Sequence, residues 1–237
     1  MRANTHMATA KEIRAEVAAI LATRWQIRDG LVVPESANVK LGNDAVKIQG
    51  TVLYADLADS TDLVNTYKEH FAAEVYKTYL ITACRIIRHY GGEVTAFDGD
   101  RVMAVYLGKS KNSNAARSAL TINWAVQEVI NPAIKAQYPQ TSFELRQAVG
   151  IDTSVLFVAK TGIRGANDLV WVGRAANYAA KLCTMRQSGY ASFITANVFN
   201  QLNESSKYGG EQQPMWDKIM WQEMGVTIYG SSWTWGL

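Results

Sequence analysis

Two short stretches set carboxylates at the ends of apolar runs. In "TVLYADLADSTDL", Thr51 to Leu63, Asp56 stands directly behind Val52, Leu53 and Tyr54. In "GGEVTAFDGDRVMAVY", Gly91 to Tyr106, Asp98 and Asp100 separate two apolar segments. A carboxylate at the end of a core strand is costly unless it is paired or holds a cation. A fold for this chain must therefore bring these acids together or give each a partner. The second stretch reads as two strands joined at Asp-Gly, the strongest short hairpin signal.

The elements around these stretches fall into an order. "TAKEIRAEVAAILATRW" has helical spacing, and a connector containing Gly, Pro and Ser follows it. "IQGTVLYADL" predicts a strand, and "STDLVNTYKEHFAAEVYKTYLITACRIIRHYGG" one long helix capped by Ser60 or Thr61 and stopped at Gly91. After the hairpin come a second long helix, "SNAARSALTINWAVQEVINPAIKAQ", and a strand, "FELRQAVGID". "SVLFVAKTGIRGANDLVWVG" predicts two strands around a Gly-rich loop, "RAANYAAKLCTMRQ" a third helix and "ASFIT" a further strand. The order β-α-β-β-α-β predicts an α+β sandwich of ferredoxin-like type, with helices on one face of a sheet. To it are added a hairpin, a helix and a C-terminal strand. Residues 1–46 form a helix and connector, and 47–237 the main domain with an aromatic tail.

Composition excludes several classes. With 237 residues, 48% hydrophobic and 19% charged, the chain can bury a core and is not disordered. A net charge of +3 without a basic stripe argues against nucleic-acid binding; Lys109 and Lys111 read as a solvated loop. Cys84 and Cys183 lie in apolar helical patterns, so buried free thiols and a reducing cytoplasm are expected. No run is long enough to span a membrane, and no signal-peptide pattern opens the chain. The opening "MRANTH" is set aside as a tag-like remnant. His70 and His89 read as surface or capping residues, and Trp216, Trp221, Trp233 and Trp235 as tail packing.

In a β-α-β-β unit, Asp56 at the end of the first strand and Asp100 in the hairpin turn can converge. Two such carboxylates suit hard divalent cations, Mg²⁺ or Mn²⁺, which prefer oxygen ligands and keep sites for substrate phosphate. Ala58, Asp59, Ser60 and Thr61 lead into a helix N-terminus, whose N–H groups suit a polyphosphate. The alternative for each acid is local: Asp56 as a helix cap and Asp100 as a turn former.

These residues resemble the class III nucleotidyl cyclases, the adenylate and guanylate cyclase homology domain. The resemblance covers about residues 48–200 and rests on three ordered motifs: "VLYADLADSTDL", "GGEVTAFDGDRVMAVY" and "LVWVGRAANYAAKLCTMR". It implies that Asp56 and Asp100, with the Leu57 carbonyl, hold two metal ions. It implies a homodimer with active sites at the interface, where Asn177 of a second copy meets the ribose. The family's arginine four residues later is Lys181 here, which keeps the charge but not the bidentate fork. The implied reaction is attack of a ribose 3′-oxygen on the α-phosphorus of the same nucleoside triphosphate, with pyrophosphate leaving.

Purine members of the family read the base with two polar positions, which here hold Ala96 and Val170. Neither side chain can hydrogen-bond a base edge, which argues against ATP or GTP. Arg101 follows the turn acid, and Tyr54 lies two residues before Asp56 on the same strand face. This combination resembles the pyrimidine cyclases of the bacterial anti-phage system called Pycsar. There a cytoplasmic enzyme makes cyclic UMP or cyclic CMP and a separate effector responds. UTP is the expected substrate. A purine cyclase with an altered pocket and a non-catalytic nucleotide sensor are the alternatives.

Overall fold

The computed structural model describes residues 9–186 and 189–237, so "MRANTH" lies outside the described residues. Helix α1 (Ala10–Ala22) and strand β1 (Gln26–Asp29) precede a long β2 (Asp44–Leu57). Helices α2 (Ser60–Thr66) and α3 (Glu69–His89) lead to the hairpin β3 (Glu93–Asp98) and β4 (Arg101–Tyr106). Helix α4 (Lys111–Ala125) runs through a π turn (Val126–Ile130) into α5 (Asn131–Gln137). Strands β5 (Gln147–Ile163) and β6 (Ala166–Val172) are followed by α6 (Arg174–Leu182), β7 (Ser192–Thr195), α7 (Ala196–Asn200) and α8 (Glu204–Lys207). Strands β8 (Asp217–Trp221) and β9 (Val226–Ser231) close the chain.

The chain divides into two compact units, Met1–Ile48 with Phe157–Val172, and Gln49–Leu156 with Gly173–Leu237. In the first unit β1 pairs in parallel with residues 44–47 of β2. Arg28 reaches Asp44 at 2.6 Å, and Asp44 also accepts from the Lys40 N–H at 2.8 Å. The far end of β5 pairs with β6 from Phe157–Val172 to Ile163–Ala166. Trp25 meets Phe157 edge-on, with ring centroids 5.0 Å apart. Helix α1 opens on a Thr9–Glu12 capping box.

In the second unit the strands lie in the order β3-β4-β2-β5-β7-β9-β8. The first four form the ferredoxin-like arrangement expected from the β-α-β-β-α-β order. Helix α3 buries Phe71, Ala72, Val75, Tyr79, Ala83, Ile86 and Ile87, a stripe at helical spacing. Each large apolar side chain buried there is worth about 1.5–3 kcal/mol. The helix stops as Gly91 takes φ +75°, with Gly91 N–H on the Arg88 carbonyl and Gly92 N–H on Ile87, a Schellman closure. The tryptophan tail packs back on the domain. Trp216 and Trp221 are buried, the Trp216 indole donates to the Ser206 carbonyl, and the Trp235 N–H reaches the Leu120 carbonyl. Cys84 and Cys183 are free thiols, Cys183 buried. Among the described residues no helix is long and apolar enough to cross a membrane.

Several local expectations are corrected. The long second-element helix is broken, because Lys68 is extended at ψ 148° while Tyr67 packs on Phe71 and Phe143. The cap of α2 is neither Ser60 nor Thr61 but Asp59, held left-handed at φ 57°. The second long helix widens into a π turn just before Pro132, whose missing N–H disrupts regular bonding. β5 is continuous through Asp152–Ser154, where two strands were expected, since Thr153 is bonded inside the core to Gly50 and Thr51. In the β3–β4 hairpin, Asp98 pairs with Arg101, so the turn's central pair is Gly99-Asp100 rather than Asp-Gly. Only Gly99 of that pair has a positive φ, +61°, as at the first central position of a type II′ turn.

Gly150 on β5 is where α6 meets the sheet. A Cβ there would lie 2.5 Å from the Cys183 backbone nitrogen and 2.7 Å from Leu182 Cβ, and would also meet the Ala179 carbonyl. Backbone cannot yield as a flexible side chain does. Gly150→Ala is therefore expected to lower unfolding stability by about 2–3 kcal/mol, measured by urea denaturation.

Candidate active site

The hairpin register builds the site. Asp98 pairs with Arg101 and Arg101 with Asp56, giving one cross-strand row over β3, β4 and β2. Ala96, Met103 and Tyr54 form the next row. Directly paired residues share a face, and so do residues two apart on a strand. The two rows therefore present Tyr54, Asp56, Ala96, Asp98 and Arg101 on the same side.

A polar pocket opens over the first row. It is lined by Asp56, Leu57, Asp59, Ser60, Thr61, Asp62, Asp98, Gly99, Asp100, Arg101, Thr184 and Arg186. The Asp56 carboxyl is raised above its ordinary range, chiefly by burial; the Arg186 hydrogen bond opposes this and the facing charge of Asp100 adds to it. A half-buried acid with a like charge beside it is suited to a cation. Among the described residues, no cluster of three or more His, Cys, Asp or Glu side chains forms a ready cage. Asp56, Asp100 and the Leu57 carbonyl at the strand end are hard oxygen donors, a set that fits Mg²⁺ or Mn²⁺ with ligand positions left over.

The other expected site residues distribute unevenly. Ser60 and Thr61 line the pocket as the first residues of α2. Asp59 also lines it, but its carboxylate is paired with Arg146. The Ala58 N–H donates to the Arg146 carbonyl at 2.8 Å, which takes Ala58 out of the expected phosphate set. Arg101 Nη2 bonds Asp98 at 2.6 Å, and its guanidinium carbon lies 5.3 Å from the centre of the Tyr54 ring. Arg101 Nε is buried and has no acceptor among the described residues. Burial raises the Tyr54 hydroxyl above its ordinary value and pushes the Cys183 thiol up to about 12, so Cys183 is inert as a nucleophile. Val170 lies on β6 opposite Ala159. Asn177 and Lys181 lie on α6 and do not line the acidic pocket. Lys181 Nζ instead pairs with Glu223 at 2.7 Å, both side chains largely exposed.

Two features escaped the sequence reading. Arg186 Nη2 reaches Asp56 Oδ2 at 3.1 Å from 130 positions away, which no spacing rule would suggest. Asp152, fully buried, takes Arg174 Nε at 2.9 Å and Nη2 at 3.2 Å, and the Thr195 hydroxyl. Arg174 is the first residue of α6, and Ala175 N–H bonds the Ser154 hydroxyl at 3.0 Å. These contacts pin the start of the helix that carries Asn177 and Lys181. Arg174→Ala should cost about 2 kcal/mol by stranding the Asp152 charge. Adding Asp152→Asn should recover part of that loss, a coupling readable in a double-mutant denaturation cycle.

No family model matches the chain. It is 52% identical over 213 residues to a uridylate cyclase of Xanthomonas perforans, covering 89% of this chain and 91% of that one. It is 48% identical over 231 residues to a uridylate cyclase of Burkholderia cepacia, covering 97% and 99%. A solved bacterial light-regulated adenylyl cyclase shares the fold, with a TM-score of 0.66 and 23% identity over 78% of this chain and 90% of that one. The near full-length identity to these relatives, joined to a cyclase fold, makes this chain a nucleotide cyclase of class III that belongs to the uridylate cyclase family.

Proposed function

We propose that the enzyme converts UTP to cyclic UMP and pyrophosphate, with two divalent cations and a second copy of the chain completing each site. The observation that carries the base choice is the placement of the Arg101 guanidinium against the Tyr54 ring, with Ala96 in the Tyr54 row. Ala96 offers a purine edge no hydrogen bond. Arg101 is a hydrogen-bond donor only, suited to a carbonyl, and uracil carries two. Cytosine carries one carbonyl and adds an amine donor that an arginine cannot accept. The names of the related proteins agree with this choice of base.

In the reaction the ribose 3′-hydroxyl loses its proton to water, its oxygen bonds the α-phosphorus, and the bond from that phosphorus to the α–β bridging oxygen breaks as pyrophosphate departs. Asp56, Asp100 and the Leu57 carbonyl would hold Mg²⁺ or Mn²⁺. Such ions, when bound, lower the pKa of the 3′-hydroxyl and neutralise charge on the leaving pyrophosphate. Ser60 and Thr61 face the phosphates from the pocket wall. Asn177 and Lys181 of a second copy meet the ribose and the α-phosphate, which fits their place on α6 outside their own chain's acidic pocket. The exposed Lys181–Glu223 pair is weak enough to release the lysine for that role. Folding the ribose so that its 3′-oxygen lies in line with the leaving bridge is the entropic part of the task. Cyclic UMP made this way would serve as a second messenger in anti-phage defence, read by a separate effector.

Three measurements test this. With all four ribonucleoside triphosphates in competition, cyclic UMP should dominate, with cyclic CMP second and the purine products poor. Preferential cyclic AMP or cyclic GMP would sink the base assignment. Asp56→Ala or Asp100→Ala should lower kcat by about a thousandfold or more with the fold intact by circular dichroism. Mixing inactive Asp56→Ala with inactive Asn177→Ala should restore partial activity, because a mixed dimer holds one complete site. No recovery after proven subunit exchange would reject the shared site.

A further inference from the structure

Asp56 has a positive partner that the proposed reaction does not use. Arg101 stands opposite it in the strand register, yet the Arg101 guanidinium is committed to Asp98 and Tyr54. Arg186 makes the contact instead, Nη2 to Asp56 Oδ2 at 3.1 Å, on an Asp56 side chain only 13% exposed. The other end of the same guanidinium is tied to its own turn. Arg186 Nη1 donates to the Cys183 carbonyl at 2.9 Å and to the Met185 carbonyl at 3.2 Å. Arg186 is thus fastened by Nη1 and reaches Asp56 with Nη2. It lines the pocket together with Asp100, Ser60 and Thr61.

We propose that Arg186 neutralises Asp56 in the resting enzyme and exchanges that carboxylate for a triphosphate oxygen when a cation takes Asp56. The inference rests on Asp56 being a metal ligand. The exchange needs little motion, because Arg186 already lines the pocket with Ser60 and Thr61 and its planar guanidinium can pivot as one unit near its Nη1 contacts. A guanidinium suits both partners, since it presents several fixed N–H donors and bonds carboxylate and phosphate alike. A cation on Asp56 makes Arg186 a like-charged neighbour, so it is released as the polyanion arrives. The consequence is coupling between two ligands. Arg186 competes with the metal alone and supports the metal with nucleotide, so each ligand raises the other's affinity. Such an enzyme stays empty of metal until its substrate is present.

The test is Mn²⁺ binding, followed by the electron paramagnetic resonance of free Mn²⁺, first without nucleotide and then with the non-cyclisable α,β-methylene analogue of UTP. The proteins are wild type, Arg186→Gln, Arg186→Lys and Asp56→Ala, each checked for folding by thermal melt. Arg186→Gln should bind Mn²⁺ alone about fivefold to tenfold more tightly, the scale of a partly exposed charged hydrogen bond. The gain in Mn²⁺ affinity on adding the analogue should shrink by a similar factor, and Arg186→Lys should fall between. If Arg186→Gln matches wild type in both conditions while Asp56→Ala has lost Mn²⁺, the Arg186 role is overturned and the metal site stands. Wild-type Mn²⁺ affinity in Asp56→Ala overturns the metal reading and the Arg186 role together.

Discussion

The antiparallel register of β3, β4 and β2 is the constraint on which the site depends. It places Asp98, Arg101 and Asp56 in one row and Ala96, Met103 and Tyr54 in the next. A slip of one residue would turn every one of these side chains to the other face. The register is held at one end by the two-residue Gly99-Asp100 turn, which admits a single pairing. On the other side of the sheet it is held by the α3 stripe packed on Leu53, Ala55, Val102 and Ala104, which do not tolerate exposure. The same turn that fixes the register also carries Asp100. Folding and site assembly therefore share one element.

Buried polar groups near the site are used to lock its parts together. Thr51 donates to Asn112 at 2.6 Å, and Thr153 bonds the Gly50 carbonyl, joining β2, α4 and β5 inside the core. Asp152 and Arg174 do the same between β5 and α6. A buried ion pair adds little net stability over an apolar equivalent, but it admits far fewer alternative arrangements. At α6 that specificity matters, because the helix packs so closely over Gly150 that a single Cβ would push it away. A helix pinned in this way presents Asn177 and Lys181 in a fixed orientation.

Charge accounting in the pocket follows one pattern. Three of the five acids that line the pocket have a cation of their own: Asp98 with Arg101, Asp59 with Arg146, and Asp56 with Arg186. The first two pairs lie at the rim, where solvent screens them and their worth is small. The Asp56 pair is less exposed, and it involves the acid whose carboxyl burial and Asp100 both raise. In the proposed reaction this is the carboxylate that must change partners. In the proposed reaction Arg101 would meet the base from the Asp56 row, with Tyr54 and Ala96 in the next row along the strands.

Much of this was legible in the chain itself. The apolar run of Val52, Leu53 and Tyr54 before Asp56, the stripe from Phe71 to Ile87, and the glycines at 91 and 99 identify strands, helix and turns through local geometry, and their order specifies a ferredoxin-like sheet. Asp56 at the end of a core strand and Asp100 in a hairpin turn announced a charged site for the same local reason. Boundaries were less legible: the break at Lys68, the π turn before Pro132 and the unbroken course of β5 depend on packing and bonds to distant residues. Sequence determined which segments are strands and helices and which side chains share a face, because period and turn chemistry act over a few positions. Only the tertiary structure decided that Arg186 rests on Asp56, that Arg174 holds Asp152 and that Ala58 spends its N–H on Arg146. Those pairings join residues from 22 to 130 positions apart, and burial, distance and competition among charges choose them after the chain has folded.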